Sequence, residues 1–310
     1  AVAAPEQKIL AAPDHDIVYA TAGSVAGARA FPLNWHIFQT PAELLSLAPG
    51  AVAATFILDL DRLRGIEPMA QLIHQMRRQG GNGVKIVVRE RSARLRYNHE
   101  MLLMRLGANA VIDASLSFSR FLAVIDSLRD QVFTRELPGS FDTALRSAMP
   151  PAASGYLRPQ DYCAAVRESV ERGAAIGVHS ALLRLMIHPQ LSHLEVLRKI
   201  RLKRPGDLFS ADDRSVYVFL FACRQADIDS TLETVVMAPL DELFEGQTRW
   251  IDDDVLVNAI DNLERRLRHI AAADFGPLLD HGPAPAEAVA AESVADAVAP
   301  VAITALPPAD

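Results

Sequence analysis

Arg204-Pro-Gly-Asp-Leu-Phe-Ser-Ala-Asp-Asp-Arg-Ser-Val-Tyr-Val-Phe-Leu-Phe-Ala222 is the stretch whose reading decides the fold of the second half of this chain. It ends in a continuous apolar run, residues 216–222, of the length of a buried strand. It begins in a turn, because proline pre-sets the backbone and glycine accepts a positive φ. Around it, the patterning predicts helices over residues 159–172, 191–200, 228–236 and 255–270. A strand is expected over 181–187 and a short strand or hairpin near 246–251. This order reads as an α+β or α/β domain.

Upstream, short apolar strands alternate with helices. Strands are expected over 16–22, 53–60, 84–88 and 110–112, and helical segments over 41–46, 68–78, 98–106 and 118–129. That alternation implies a doubly wound parallel sheet with helices on both faces. A Pro- and Gly-bearing stretch, 136–155, reads as a linker between domains at 14–135 and 156–272. Residues 1–13 read as a further linker. Residues 273–310, built mainly from Ala, Pro, Val and acids, read as a disordered tail.

Composition narrows the function. The 310 residues carry a net charge of -7, which argues against a general DNA or RNA binder. Cys163 and Cys223 form no CxxC pair, which fits a reducing cytosol rather than a disulfide framework. No apolar run reaches the roughly 18 residues of a membrane helix. No charged n-region followed by an apolar core marks a secretory signal. His179, His188 and His193 lack ligand spacing, so no metal is expected. Cys163 reads as a small core residue, and Trp35 and Trp250 as core anchors. No nucleophile elbow or P-loop is present.

The first unit, over about residues 14–132, resembles a response-regulator receiver in the spacing of its elements. That resemblance places a phosphoacceptor at Asp59. The other chemical positions depart from it. Ala20-Thr21-Ala22-Gly23 stands where an acidic pair would hold Mg²⁺, Arg89 where a hydroxyl would stand, and Asp113-Ala114-Ser115 where a Lys-Pro pair would stand. One aspartate without these partners does not support phosphoryl transfer. A pseudoreceiver is expected, with Asp59 and Asp61 as strand-end carboxylates.

The second unit resembles a GGDEF domain, the diguanylate cyclase fold. In cyclases an inhibitory RxxD motif precedes the signature turn, and Arg204 and Asp207 occupy its positions. The signature register then falls on Asp213-Arg214-Ser215-Val216-Tyr217, which keeps neither the glycines nor the metal-binding acid. RxxD alone is weak evidence. With 27 arginines and 23 aspartates, chance gives about two matches. Four occur, at Arg158/Asp161, Arg204/Asp207, Arg224/Asp227 and Arg249/Asp252. Only the second stands at the right offset before the ruined signature and a buried strand.

Over residues 14–270 the arrangement resembles the C-terminal part of the BcsE family of bacterial cellulose-biosynthesis proteins. The resemblance implies a non-catalytic cyclic di-GMP sensor that acts on cytosolic and membrane subunits of a cellulose synthase complex. It implies a cytoplasmic location, with recruitment to the inner membrane through partners, possible ligand-dependent self-association and no cofactor. A guanidinium meets guanine O6 and N7 bidentately, which suits Arg204. An aspartate accepts from guanine N–H donors, which suits Asp207. Gly206 is expected to let the ligand approach the backbone. Arg201 belongs to a basic run, Arg198 to Arg204, that attracts phosphates or complements a helix end. Arg96 of the first unit is the candidate second donor, although His99 stands where a second RxxD needs Asp. Arg96 reaching across would let ligand fix the interdomain angle. The competing readings are a ligand-free protein scaffold and a residual enzyme.

Overall fold

The computed structural model describes residues 12–28, 31–60, 65–91, 95–267 and 274–279. Asp61 and Arg94 lie outside them. So does most of the expected tail and first linker.

The first sheet contains β1 (Val18–Thr21), β2 (Trp35–Phe38), β3 (Thr55–Leu60), β4 (Lys85–Glu90) and β5 (Ala110–Ile112), all parallel and ordered β2-β1-β3-β4-β5. Helices α1 (Pro41–Leu47), α2 (Ile66–Gly80), α3 (Tyr97–Leu106) and α4 (Phe118–Leu128) connect them. β3 and β4 are apolar on both sides because both faces are covered. Ile57 and Val87 meet Phe121 and Ile125 of α4. The alternate residues Phe56, Leu58, Ile86 and Val88 meet α2 and α3. Receiver-like order is therefore present; the short, half-buried β2 is a strand the apolar patterning did not reveal.

The second sheet is mixed and ordered β10-β7-β9-β8-β6. Its strands are β6 (Gly155–Tyr156), β7 (Ala181–Ile187), β8 (Leu208–Ala211), β9 (Ser215–Leu220) and β10 (Phe244–Trp250). Around them lie α6 (Pro159–Ala174), α7 (His193–Leu197), α8 (Ile228–Val235), α9 (Leu240–Leu243) and α10 (Asp253–Leu267). β8 and β9 form an antiparallel hairpin with its corner at residues 212–214. The expected helix over 191–200 is shorter. A capping box between Ser192 and Glu195 starts α7, and Ile200 instead forms an antiparallel bridge with Val236.

Two expectations are corrected. The stretch 136–155 is not a bare linker: it carries α5 (Phe141–Ala148), capped by Ser140. Ala144 and Ala148 enter an apolar core shared with Leu102, Leu103 and Leu106 of α3 and with Tyr162, Val166 and Val170 of α6. Small side chains let α5 fit between two helices, which its Pro- and Gly-rich flanks conceal. The expected tail also begins later than residue 273. Phe275 stacks on His193, with centroids 5.6 Å apart, and its N–H donates to Tyr156 Oη at 3.1 Å. Leu279 is buried in the second core.

The shared core joins the two domains. Polar contacts reinforce it. Asn98 Nδ2 donates to the Ala148 carbonyl at 2.8 Å. Arg224 pairs with Glu100 and lies 4.8 Å from the centre of the Tyr97 ring. Such a core should make the two domains unfold together. Calorimetry is expected to show one endotherm; two well-separated endotherms would show that the shared core does not couple them.

Candidate functional site

The turn Arg204–Asp207 lies immediately before β8, and its two ends grip one residue of the neighbouring strand's exit. Asp207 Oδ1 accepts from the Phe221 N–H at 2.9 Å. Arg204 Nη2 donates to the Phe221 carbonyl at 3.0 Å. Between them, Arg204 Nε stands 3.6 Å from Asp207 Oδ2, an oxygen that has no hydrogen-bond partner. The arginine is half-exposed, with 37% of its side chain accessible, whereas the aspartate side chain is 1% accessible.

The Asp207 carboxylate is enclosed, with one oxygen holding the end of β9 and the other beside Arg204. Burial raises its pKa to about 6, against the opposing pull of Arg204, the Phe221 amide and Arg96. Arg96 is the N-cap residue of α3 and exposed. Among the influences on Asp207 the Arg96 charge is the weakest, after burial, Arg204 and the Phe221 amide.

At φ +88° Gly206 is a position for glycine, and a Cβ there would lie 2.8 Å from Pro150 Cβ and 2.9 Å from Pro151 Cδ. The close approach it permits in the fold is to the connector's two prolines. Arg201 is exposed and faces the groove beside α8, together with Lys203 and Arg204. That groove, about 280 Å³, is also lined by Ser230, Thr231 and Thr234. The three hydroxyl residues escaped the sequence reading; their i, i+1, i+4 spacing on a helix next to a basic run was the available signal.

A larger cavity of about 590 Å³ opens between the domains, lined by Tyr97, Arg224, Arg249 and Trp250 among others. Its arginines are already engaged, Arg224 with Glu100 and Arg249 with Asp229. The remaining RxxD match, Arg158/Asp161, is an exposed ion pair on α6.

Both inherited reaction centres are filled. Asp59 is buried, and its Oδ2 would lie 2.2 Å from a Cβ on Gly23, so only glycine fits beside it. The Thr21 hydroxyl accepts from the Asp59 N–H at 2.9 Å, and Arg91 Nη1 stands 3.6 Å from the carboxylate. Asp59 is more than a strand-end carboxylate, since the loop after β1 closes on it. Arg89 donates to the Ser24 carbonyl and lies 4.3 Å over the Phe121 ring. At the ruined signature, Asp212 Oδ1 accepts from the Arg214 and Ser215 amides at 3.0 and 2.7 Å. Asp212 Oδ2 accepts from Tyr217 Oη at 3.0 Å and pairs with Arg266 of α10. Ser215 Oγ accepts from Arg184 Nε at 2.9 Å. Among the described residues no three His, Cys, Asp or Glu side chains are grouped to hold a metal. His179 pairs with Asp253 and His193 stacks on Phe275.

Comparison with known proteins follows this geometry. Residues 14–155 match the family model described as BcsE, degenerate REC domain, and residues 158–305 match BcsE, degenerate GGDEF domain. The chain is 31% identical over 255 residues to the protein named cyclic di-GMP binding protein BcsE of Escherichia coli K12, covering 82% of this chain and 49% of that one. It is 30% identical over 242 residues to the protein of that name from Klebsiella pneumoniae, covering 76% and 46%. With the Salmonella typhimurium 14028s protein of that name it shares 32% over 229 residues, covering 73% and 44%. The chain thus spans about half the length of the curated relatives it matches. With a parallel receiver-like sheet, a degenerate signature hairpin and both domain models of one family in order, this chain belongs to the BcsE family.

Proposed function

We propose that this chain is a non-catalytic cyclic di-GMP sensor in which Arg204 contacts the ligand and Asp207 positions it. The observation that carries the reading is the geometry of the RxxD turn: Arg204 presents a half-exposed guanidinium already fixed by the Phe221 carbonyl and the buried Asp207 carboxylate. Arg96 of α3 is the proposed second donor. Fixed guanidinium groups suit the O6 and N7 edge of guanine, and less side-chain entropy is lost on binding. The names of the relatives, cyclic di-GMP binding protein, support the same ligand. The filled centres at Asp59 and Asp212 support a role without catalysis.

Energetics support two arginines over one. A micromolar ligand needs about 8 kcal/mol. One bidentate guanine contact gives about 1–3 kcal/mol of discrimination, and stacking about 1–3 kcal/mol per base. Arg204 with a single stacked base falls short, whereas Arg96 and a second guanine bring the sum within range.

The family resemblance extends the reading to regulation of bacterial cellulose synthesis, through cytosolic and membrane subunits of the synthase complex. It places the chain on the cytoplasmic side of the inner membrane and includes ligand-dependent self-association. No helix among the described residues is long and apolar enough to cross a membrane, so recruitment through partners is the proposed route. Gly206 serves in this scheme as the packing point of the motif on Pro150 and Pro151.

Two measurements check the site. In titration calorimetry with cyclic di-GMP, Arg204→Ala is expected to weaken binding at least tenfold and Arg96→Ala about tenfold, as loss of one charge-assisted contact implies. No heat with the unaltered chain, or unchanged affinity of Arg204→Ala, would overturn the reading. The second measurement concerns Asp207. Its folded pKa is raised, so its contribution to stability is complete below the unfolded value and is lost as pH rises through about 6. Asp207→Asn keeps an acceptor for the Phe221 N–H and never carries the charge. The variant is therefore expected to gain about 2–3 kcal/mol relative to the unaltered chain between pH 4 and pH 7.5. A difference in denaturation free energy that does not change with pH would contradict this assignment.

A further inference from the structure

Among the described residues four strands lie at the sheet edges. β2, β5 and β6 have four, three and two residues, whereas β10 has seven. Short edges discourage pairing with another chain, and a long open edge invites it. β10 pairs only with β7. Glu245, Gln247 and Thr248 are exposed along it. The residues of this edge are their own complement. Glu245-Gly-Gln-Thr-Arg249 carries an acid at one end, a base at the other and no charge between. Two copies set antiparallel about a twofold axis through Gln247 would place Glu245 of each opposite Arg249 of the other. Opposite charges directly across a ladder stabilise it, and like charges destabilise it. A parallel alignment in the same register would oppose acid to acid and base to base. The charges therefore select one orientation.

The surroundings fit that arrangement. A hollow of about 240 Å³ lies beside β10, walled by Leu185, Leu240 and Phe244 and edged by Asp241 and Glu245. Neither carboxylate makes an ion pair among the described residues. An arginine suits such a hollow, with its carbon stem on the apolar wall and its guanidinium at the acids. Gln247 and Arg249 pair with Leu185 and Leu183 of β7 and so stand on the sheet face of the second core. Arg249 of a second copy would reach the hollow from that face. Within its own chain Arg249 holds Asp229, whose side chain is 69% accessible. An exposed pair of this kind is weak, so one guanidinium can share or exchange it at little cost. On the opposite face the exposed Met186 lies against Gly246, where Thr248 of the second copy would stand. The register shift between Phe244 and Gly246 ends the regular edge, which limits a new ladder to residues 245–249.

We propose that the outer edge of β10 is a homotypic docking surface, on which a second copy of this chain adds its own β10 antiparallel about Gln247 and joins the two mixed sheets into one. The ladder needs no ligand, so it stands apart from the cyclic di-GMP reading. A ladder this short is far below the roughly 20–30 residues a side of a standard interface. The dimer is therefore a weak one that forms as concentration rises.

Sedimentation equilibrium of the ligand-free chain from about 5 to 500 μM is expected to show a monomer passing to a dimer. Glu245→Arg sets two arginines opposite each other at both ends of the ladder, and Arg249→Glu sets two acids there. Each variant alone is expected to associate about tenfold more weakly. An equimolar mixture of the two is expected to recover the dimer, since every facing pair is again of opposite charge. Mixing would not repair local damage to the fold. A chain that stays monomeric throughout, a Glu245→Arg variant that associates as the unaltered chain does, or a mixture no stronger than its components would each overturn the proposal. Gln247, which meets itself on the axis, carries the same test should Arg249→Glu fail to fold without its Asp229 contact. Gln247→Lys and Gln247→Glu are each expected to weaken association alone and to restore it when mixed, and a mixture no stronger than either variant would overturn the pairing.

Discussion

Both backbone polar groups of Phe221 are taken by one four-residue turn. Asp207 receives its N–H and Arg204 gives to its carbonyl. The strand ends there, because the next residue, Ala222, turns into positive φ at 49° and its amide is taken by Ser180 Oγ. The Asp207 backbone carbonyl in turn accepts from the Gly155 N–H and so starts the pairing of β6 with β8. The motif that would grip a ligand thus first fixes the exit of one strand and the entry of another. It also packs on Pro150 and Pro151 of the connector through Gly206. Because a buried unpaired carboxylate is costly, this arrangement holds only while the amide and the two arginines offset it.

The same chemistry recurs where the ancestral reactions are gone. Removing a metal from a carboxylate-bearing pocket leaves negative charge with no counterion. At Asp59 the loop through Gly23 closes on the carboxylate and Arg91 stands near it. At Asp212 two amides, a tyrosine and Arg266 share the oxygens. An arginine differs from a metal in being covalently tied to its element. Arg266 therefore ties α10 to the hairpin corner, and Arg91 ties the end of β4 to β3. Each degenerate centre is thus a fixed joint between elements.

The strands legible in sequence were those buried on both faces: the runs at Ile57, Val87 and Val218 give an unbroken apolar signal. Strands β2, β6 and β8 were missed. Two to four residues give too little pattern, and β8 reads as the tail of the preceding turn. The connector helix was hidden for another reason. Its buried residues are Ala144, Ser147 and Ala148, small side chains whose burial depends on what approaches them. Arg77 shows the limit of amphipathic reading: it sits on α2 among polar neighbours, yet it is fully buried and donates to the carbonyls of Gly81, Val84 and Gly107. The site was half legible. The offset of Arg204 and Asp207 from the ruined signature located the turn, but no linear pattern distinguishes an aspartate that faces a ligand from one that faces a backbone amide.

That distinction bears on how such a site can arise from an enzyme. A contact made by an exposed aspartate is kept only while the ligand matters. An aspartate that also closes a strand end is kept by folding itself, so Arg204 stays aligned while everything around it drifts. On the proposed reading, specificity then rests on neighbours such as Arg96, whose exposed side chain can change at little cost to the core.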